Sequence, residues 1–175
     1  MYRLLDWYEN IRDFLEMGGP VLVVIGVLSL VMWVLIFERM IYYRVGLPNY
    51  INVFTDQWKA RSERRSWNAR RIRDAMISRV SNKIEQNLPL IKTLLALAPL
   101  LGLLGTVTGM IEVFEVMAFS GTGNPRSMAA GVSKATIPTM AGMVVALSGV
   151  VASTLLSRFA HRRVENLRAE LTTKR

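Results

Sequence analysis

The sequence predicts an all-α integral membrane protein with three transmembrane helices. Residues 18–37, 93–111 and 135–157 carry no charged side chain. At about 1.5 Å of rise per residue, these runs of 20, 19 and 23 residues can each cross a hydrocarbon core of about 30 Å. The charges are crowded into the segments between them. With 22 Lys and Arg against 13 Asp and Glu, the net charge is +9, although 51% of the chain is apolar.

Several chemistries are excluded at once. The chain has no Cys, so it has no disulfide, no thiolate metal site and no Cys nucleophile. A single His gives no imidazole cluster. No constellation suits an enzyme, and neither metal nor cofactor is called for.

Residues 1–17 are net acidic, with no basic start and no apolar centre, unlike a signal peptide. Leu4, Trp7, Tyr8, Ile11, Phe14 and Leu15 recur at helical spacing. Two readings stay open: an amphipathic helix on the periplasmic membrane surface, or an outward extension of the first span. Gly18, Gly19 and Pro20 break the chain, and Pro20 suits a first helical turn. The first span, 18–37, is rich in Val, Leu and Ile. Trp33, Tyr42 and Tyr43 mark its interface, and Glu38-Arg39 its exit to water.

Residues 38–92 form a helical loop with 12 basic and 5 acidic residues. Tyr50, Ile51, Phe54 and Trp58 make one apolar stripe after Pro48. Ile72, Met76, Val80, Ile84, Leu88 and Ile91 make a longer one that runs into the second span, where Pro89 and Pro99 bend it. The second span, 93–118, has Ala98, Gly102, Gly105 and Gly109 on one face, which lets backbones approach closely. Residues 119–126 are a loop, with Asn124 as N-cap and Pro125 as first helical residue.

The third span, 127–157, carries Ala135, Thr139, Gly142, Ala146, Gly149 and Ser153 in one small-residue stripe. A stripe this long suits a tight bundle or a pore wall. Ala160, Val164, Leu167 and Leu171 carry the helical pattern into a basic tail, 158–175.

Charge orients the spans. The four polar segments sum to −2, +7, 0 and +4 in chain order. The positive-inside rule then puts the amino terminus and the 119–126 loop outside, with the 38–92 loop and the tail in the cytoplasm.

No span has a carboxylate near its centre, and His161 lies in the tail. A proton carrier in the membrane usually needs such a group, so it would come from another subunit. Thr106 and Thr139 offer hydroxyls in the second and third spans. On spacing alone, a bond from each hydroxyl back to its own helix is the favoured reading.

The segment Pro99-Leu-Leu-Gly-Leu-Leu-Gly-Thr-Val-Thr-Gly-Met-Ile-Glu-Val-Phe114, followed by Gly131-Val-Ser-Lys-Ala-Thr-Ile-Pro-Thr-Met-Ala-Gly-Met143, resembles the MotA/TolQ/ExbB family of proton-channel subunits, and its ExbB branch most. The resemblance is strongest over residues 93–157. It implies a homo-pentamer of long helices in the bacterial inner membrane, with the second and third spans extended into the cytoplasm and lining a central pore. Thr106 and Thr139 match family positions that face the pore. The implied partners are an ExbD-like subunit whose Asp carries the proton, and a TonB-like transducer that drives outer-membrane transport. The short acidic amino terminus suggests a compact member without a long periplasmic extension. A TolQ-like role in the Tol-Pal envelope motor is the alternative; the flagellar-stator class has a larger cytoplasmic domain than 38–92.

One departure stands out. Many ExbB proteins have a Glu five residues before the Thr matched by Thr139, where this chain has Lys134. A ring of five Lys would repel itself unless paired. Glu112 should lie at similar depth and is the expected partner; Glu115 and the ExbD carboxylate are the alternatives. The Gly positions 102, 105, 109, 142 and 149 are expected to pack helices together.

Three other classes fit less well. The Arg run beside Trp58 and Trp67 suits anionic lipid headgroups better than nucleic acid. A scaffold would explain the small stripes but not the two hydroxyls. A solute transporter would show internal repeats and a polar mid-depth site.

Overall fold

The computed structural model describes residues 2–60, 63, 66–120 and 125–173. The four helices are α1 (Tyr2–Lys59), α2 (Trp67–Glu85), α3 (Leu88–Ser120) and α4 (Pro125–Thr173). Helical stretches within Met17–Lys59, Trp67–Phe119 and Met128–Ala169 are long and apolar enough to cross a membrane. Residues 121–124, with the expected N-cap Asn124, and Arg61, Arg64 and Arg65 lie outside the described residues.

The helix boundaries follow local chemistry. Gly19 has φ 65 and ψ −167, which interrupts α1 between its first turns and the apolar run. A side chain is strained in that left-handed region, and glycine is not. The Ser66 hydroxyl accepts from the Ala69 amide at 3.1 Å and caps α2.

Helix α1 runs on beyond Phe37 through Pro48 to Lys59. One segment differs from the sequence expectation. The stripe from Ile72 to Ile91 is not one continuous helix. Gln86 and Asn87 break it, with Asn87 at φ 68, and α3 starts afresh at Leu88. Asn tolerates the left-handed region, and Pro89 suits a first turn, so the proline marks a helix start rather than a bend.

The chain divides into two compact units. One comprises residues 1–33 and 93–150, the other 34–92 and 151–175. In the first unit α1 buries the large side chains Leu22, Ile25 and Met32, whereas the contacts of α3 and α4 run through small residues. Ala98, Gly102, Ala135, Gly142 and Gly149 are buried, while Val27, Leu30, Leu100, Phe114, Val144 and Leu147 are exposed. Large apolar side chains outward and small ones inward suit helices surrounded by lipid tails or by further apolar helices.

The second unit has a core of the ordinary kind. Ile36, Tyr43, Leu47, Val80, Ile84, Ile91, Ala160 and Leu167 are buried in it. Leu156, Ala160, Val164, Leu167 and Leu171 of α4 step by 4, 4, 3 and 4, one face of a helix. Arg39 is 4% exposed. Its guanidinium donates to the Lys83 carbonyl at 3.5 Å and lies 5.3 Å from the centre of the Tyr42 ring. The Glu38 carboxylate comes to 3.0 Å of its Nε without hydrogen-bond alignment.

Candidate functional site

Helices α3 and α4 pack antiparallel along the small-residue stripes of the first unit. A Cβ built on Gly142 would lie 2.5 Å from the Ala98 carbonyl oxygen and 3.2 Å from the Gly102 Cα. One on Gly102 would lie 2.9 Å from the Pro138 carbonyl oxygen and 3.0 Å from the Thr139 Cα. One on Gly109 would lie 2.9 Å from the Ala135 Cα. These are backbone neighbours, which have no flexible end to move aside. Gly105 faces the Pro138 ring, and Gly149 faces Leu95 of α3 and Met32 of α1. The long stripe on α4 therefore serves contacts within one chain, a use that spacing alone did not distinguish from contact between chains.

The two threonines meet at this contact. Thr139 Oγ1 donates to the Gly102 carbonyl at 2.8 Å, and Thr106 Oγ1 and Thr139 Oγ1 are hydrogen-bonded to each other. Thr106 Oγ1 also lies 3.5 Å from the Gly102 carbonyl of its own helix. A hydroxyl has one proton to donate. Thr139 directs its proton to Gly102, so Thr106 donates to Thr139. Other hydroxyls behave differently. Thr108 bonds the carbonyls of Leu104 and Gly105, and Ser148 that of Val145, each on its own helix. Thr106 and Thr139 are both half-buried in the protomer.

One turn beyond, the first unit holds a cavity of about 460 Å³. Its walls are the Gly18-Gly19-Pro20 break of α1, Gly105 to Met117 of α3 and Met128 to Pro138 of α4. Glu112 and Lys134 both line it. Among the described residues no ion pair joins Lys134 to Glu112 or to Glu115, and all three side chains are exposed in the protomer. Pro138 was not singled out from the sequence, yet it touches both the cavity and Gly105. A proline in the middle of a small-residue stripe was the available signal.

The arrangement offers donors, acceptors and close helix contact, and no group of three or more His, Cys, Asp or Glu able to hold a metal among the described residues. An antiparallel pair of apolar helices joined through hydroxyls and backbone is the packing of a multi-pass membrane protein. Residues 48–169 match the family model described as the MotA/TolQ/ExbB proton channel family. The chain belongs to that family, which consists of channel proteins rather than enzymes.

Individual relatives agree. The chain is 38% identical over 87 residues to the biopolymer transport protein exbB1 of Vibrio cholerae, covering 49% of this chain and 38% of that protein. It is 26% identical over 159 residues to the biopolymer transport protein ExbB of Aquifex aeolicus, covering 89% and 86%. It is 35% identical over 86 residues to the Tol-Pal system protein TolQ of Pseudomonas aeruginosa, covering 49% and 36%. The chain thus spans less than half the length of the Vibrio and Pseudomonas relatives and most of the Aquifex one.

Proposed function

We propose that this protein is an ExbB-like subunit of an inner-membrane proton channel and motor. With an ExbD-like subunit carrying the proton-binding Asp, it uses the proton motive force to energise a TonB-like transducer of outer-membrane transport. Five copies would surround a pore walled by α3 and α4, with the amino terminus periplasmic and the basic segments in the cytoplasm against anionic headgroups.

The observation that carries this reading is the hydrogen bond between Thr106 and Thr139. It sets two hydroxyls side by side in a contact between helices otherwise lined by small apolar residues, at the positions the family resemblance assigns to the pore. The charge-free runs contain no carboxylate of their own, which fits a proton carrier supplied in trans. Glu112 and Lys134 would balance each other across the cavity, so that a ring of Lys134 is not left uncompensated.

The likeness to TolQ keeps one second reading, a subunit of the Tol-Pal envelope motor. Complementation separates the two. Expressed together with its ExbD-like neighbour in cells lacking their own ExbB and TolQ subunits, the protein should restore TonB-dependent uptake. Restored detergent resistance without uptake would favour the Tol-Pal reading, and failure of both would overturn the proposal.

A further inference from the structure

We propose that the cavity between α1, α3 and α4 binds one phospholipid with a zwitterionic headgroup of the phosphatidylethanolamine kind, its phosphodiester on Lys134 and its ammonium on Glu112. The first argument is position. Met17 opens the first charge-free run, Glu112 directly follows the second, and Lys134 directly precedes the third. All three residues line the cavity. It therefore lies where every spanning helix passes from apolar to charged, the level at which a lipid headgroup meets its chains.

The second argument is shape and surface. Met17, Val113, Val116, Met117 and Met128 give the walls an apolar lining suited to an acyl chain. The volume of about 460 Å³ falls within the roughly 300–1,000 Å³ typical of ligand sites. On the α1 side the break leaves room: a Cβ at Gly19 would meet nothing within 4 Å.

The third argument is charge. The lining carries one cation and one anion, which are not paired with each other. An anionic headgroup would satisfy Lys134 and be repelled by Glu112. A headgroup carrying both signs satisfies both, and a primary ammonium can donate several hydrogen bonds.

The inference rests on the membrane placement proposed above, and not on proton conduction or on which transducer is energised. The test is native mass spectrometry of the purified, delipidated oligomer titrated with dioleoyl-phosphatidylethanolamine or dioleoyl-phosphatidylglycerol. Phosphatidylethanolamine should be retained about tenfold more tightly, which corresponds to about 1.4 kcal/mol. Glu112→Gln should remove that preference, and Lys134→Gln should weaken retention of both lipids. Both side chains are exposed, so neither change should disturb folding, and circular dichroism checks this. Val116→Trp, which fills the cavity without touching either charge, should also lower retention. Equal or tighter retention of phosphatidylglycerol would overturn the proposal. So would unchanged retention in the two Gln variants, or in Val116→Trp. Each outcome is read on the protein alone, so a lost uptake phenotype leaves it unaffected.

Discussion

The Tyr43 hydroxyl donates to the Ile84 carbonyl oxygen at 2.6 Å, a buried hydrogen bond between α1 and the last turn of α2. Carbonyls in a last helical turn have no amide ahead of them. Arg39 serves the neighbouring Lys83 carbonyl in the same way, with a cation placed at the negative end of the helix. The turn at Gln86 and Asn87 is thus held by two side chains of α1. The Tyr43 ring also stacks on Phe159 of α4, with centroids 5.6 Å apart.

Tyr43→Phe keeps the ring and removes the donor. The Ile84 carbonyl is then buried without its partner, which costs about 1–3 kcal/mol. Thermal unfolding of the purified protein in detergent should show a lower midpoint, with helix content unchanged at room temperature. An unchanged midpoint would mean that water replaces the hydroxyl.

Gly142→Leu should destabilise the chain itself and not merely its assembly. The added side chain meets the Ala98 carbonyl and the Gly102 backbone, so α3 and α4 must separate. Overpacking of this kind costs about 1–3 kcal/mol. Protease sensitivity and a lowered unfolding midpoint should accompany any loss of oligomer on native gels.

Thr139→Ala removes the hydroxyl that links α4 to Gly102 and to Thr106, whereas Thr139→Ser keeps it. At equal protein abundance, Ala should strongly reduce TonB-dependent uptake and Ser should largely preserve it. Thr106→Ala should act in the same direction and less severely, because Thr106 donates to one partner while Thr139 engages two. Equal activity of Thr139→Ala and Thr139→Ser would make the residue a packing element only.

Orientation is open to direct labelling, because the chain has no native Cys. Asn10→Cys and Thr122→Cys should react with an impermeant thiol reagent in intact cells, and Glu63→Cys should react only after permeabilisation. Glu63 is a better reporter of the basic segment than Ser66, whose hydroxyl caps α2. Labelling of Glu63→Cys from outside would sink the proposed topology.

The spanning segments were legible because charge is so costly in lipid that its absence marks them. The break at Gly18-Gly19-Pro20 was legible for a similar reason, since few residues accept the backbone it needs. The end of α2 was not. Asn87 in a left-handed conformation leaves little mark in the sequence, and Pro89 two residues later reads equally as a bend or as a start. The burial of Arg39 was hidden too, because the carbonyl it serves, that of Lys83, lies 44 positions away. For the site, spacing gave the small stripe with Thr139 in it, and the family resemblance singled out Thr106 and Thr139 together. It could not say that they face each other within one chain, since contact within a chain and contact between chains ask for the same small residues.

The order of donors along Thr106, Thr139 and Gly102 has one more consequence. A proton wire needs every member to receive a proton on one side and release one on the other. This row ends on a peptide carbonyl, which has no proton to release, so it is a cul-de-sac and not a wire. What it does supply is rigidity: both hydroxyl protons are committed, and their oxygens keep lone pairs free to accept. A visiting acid would find a fixed acceptor that steadies it without taking its proton away.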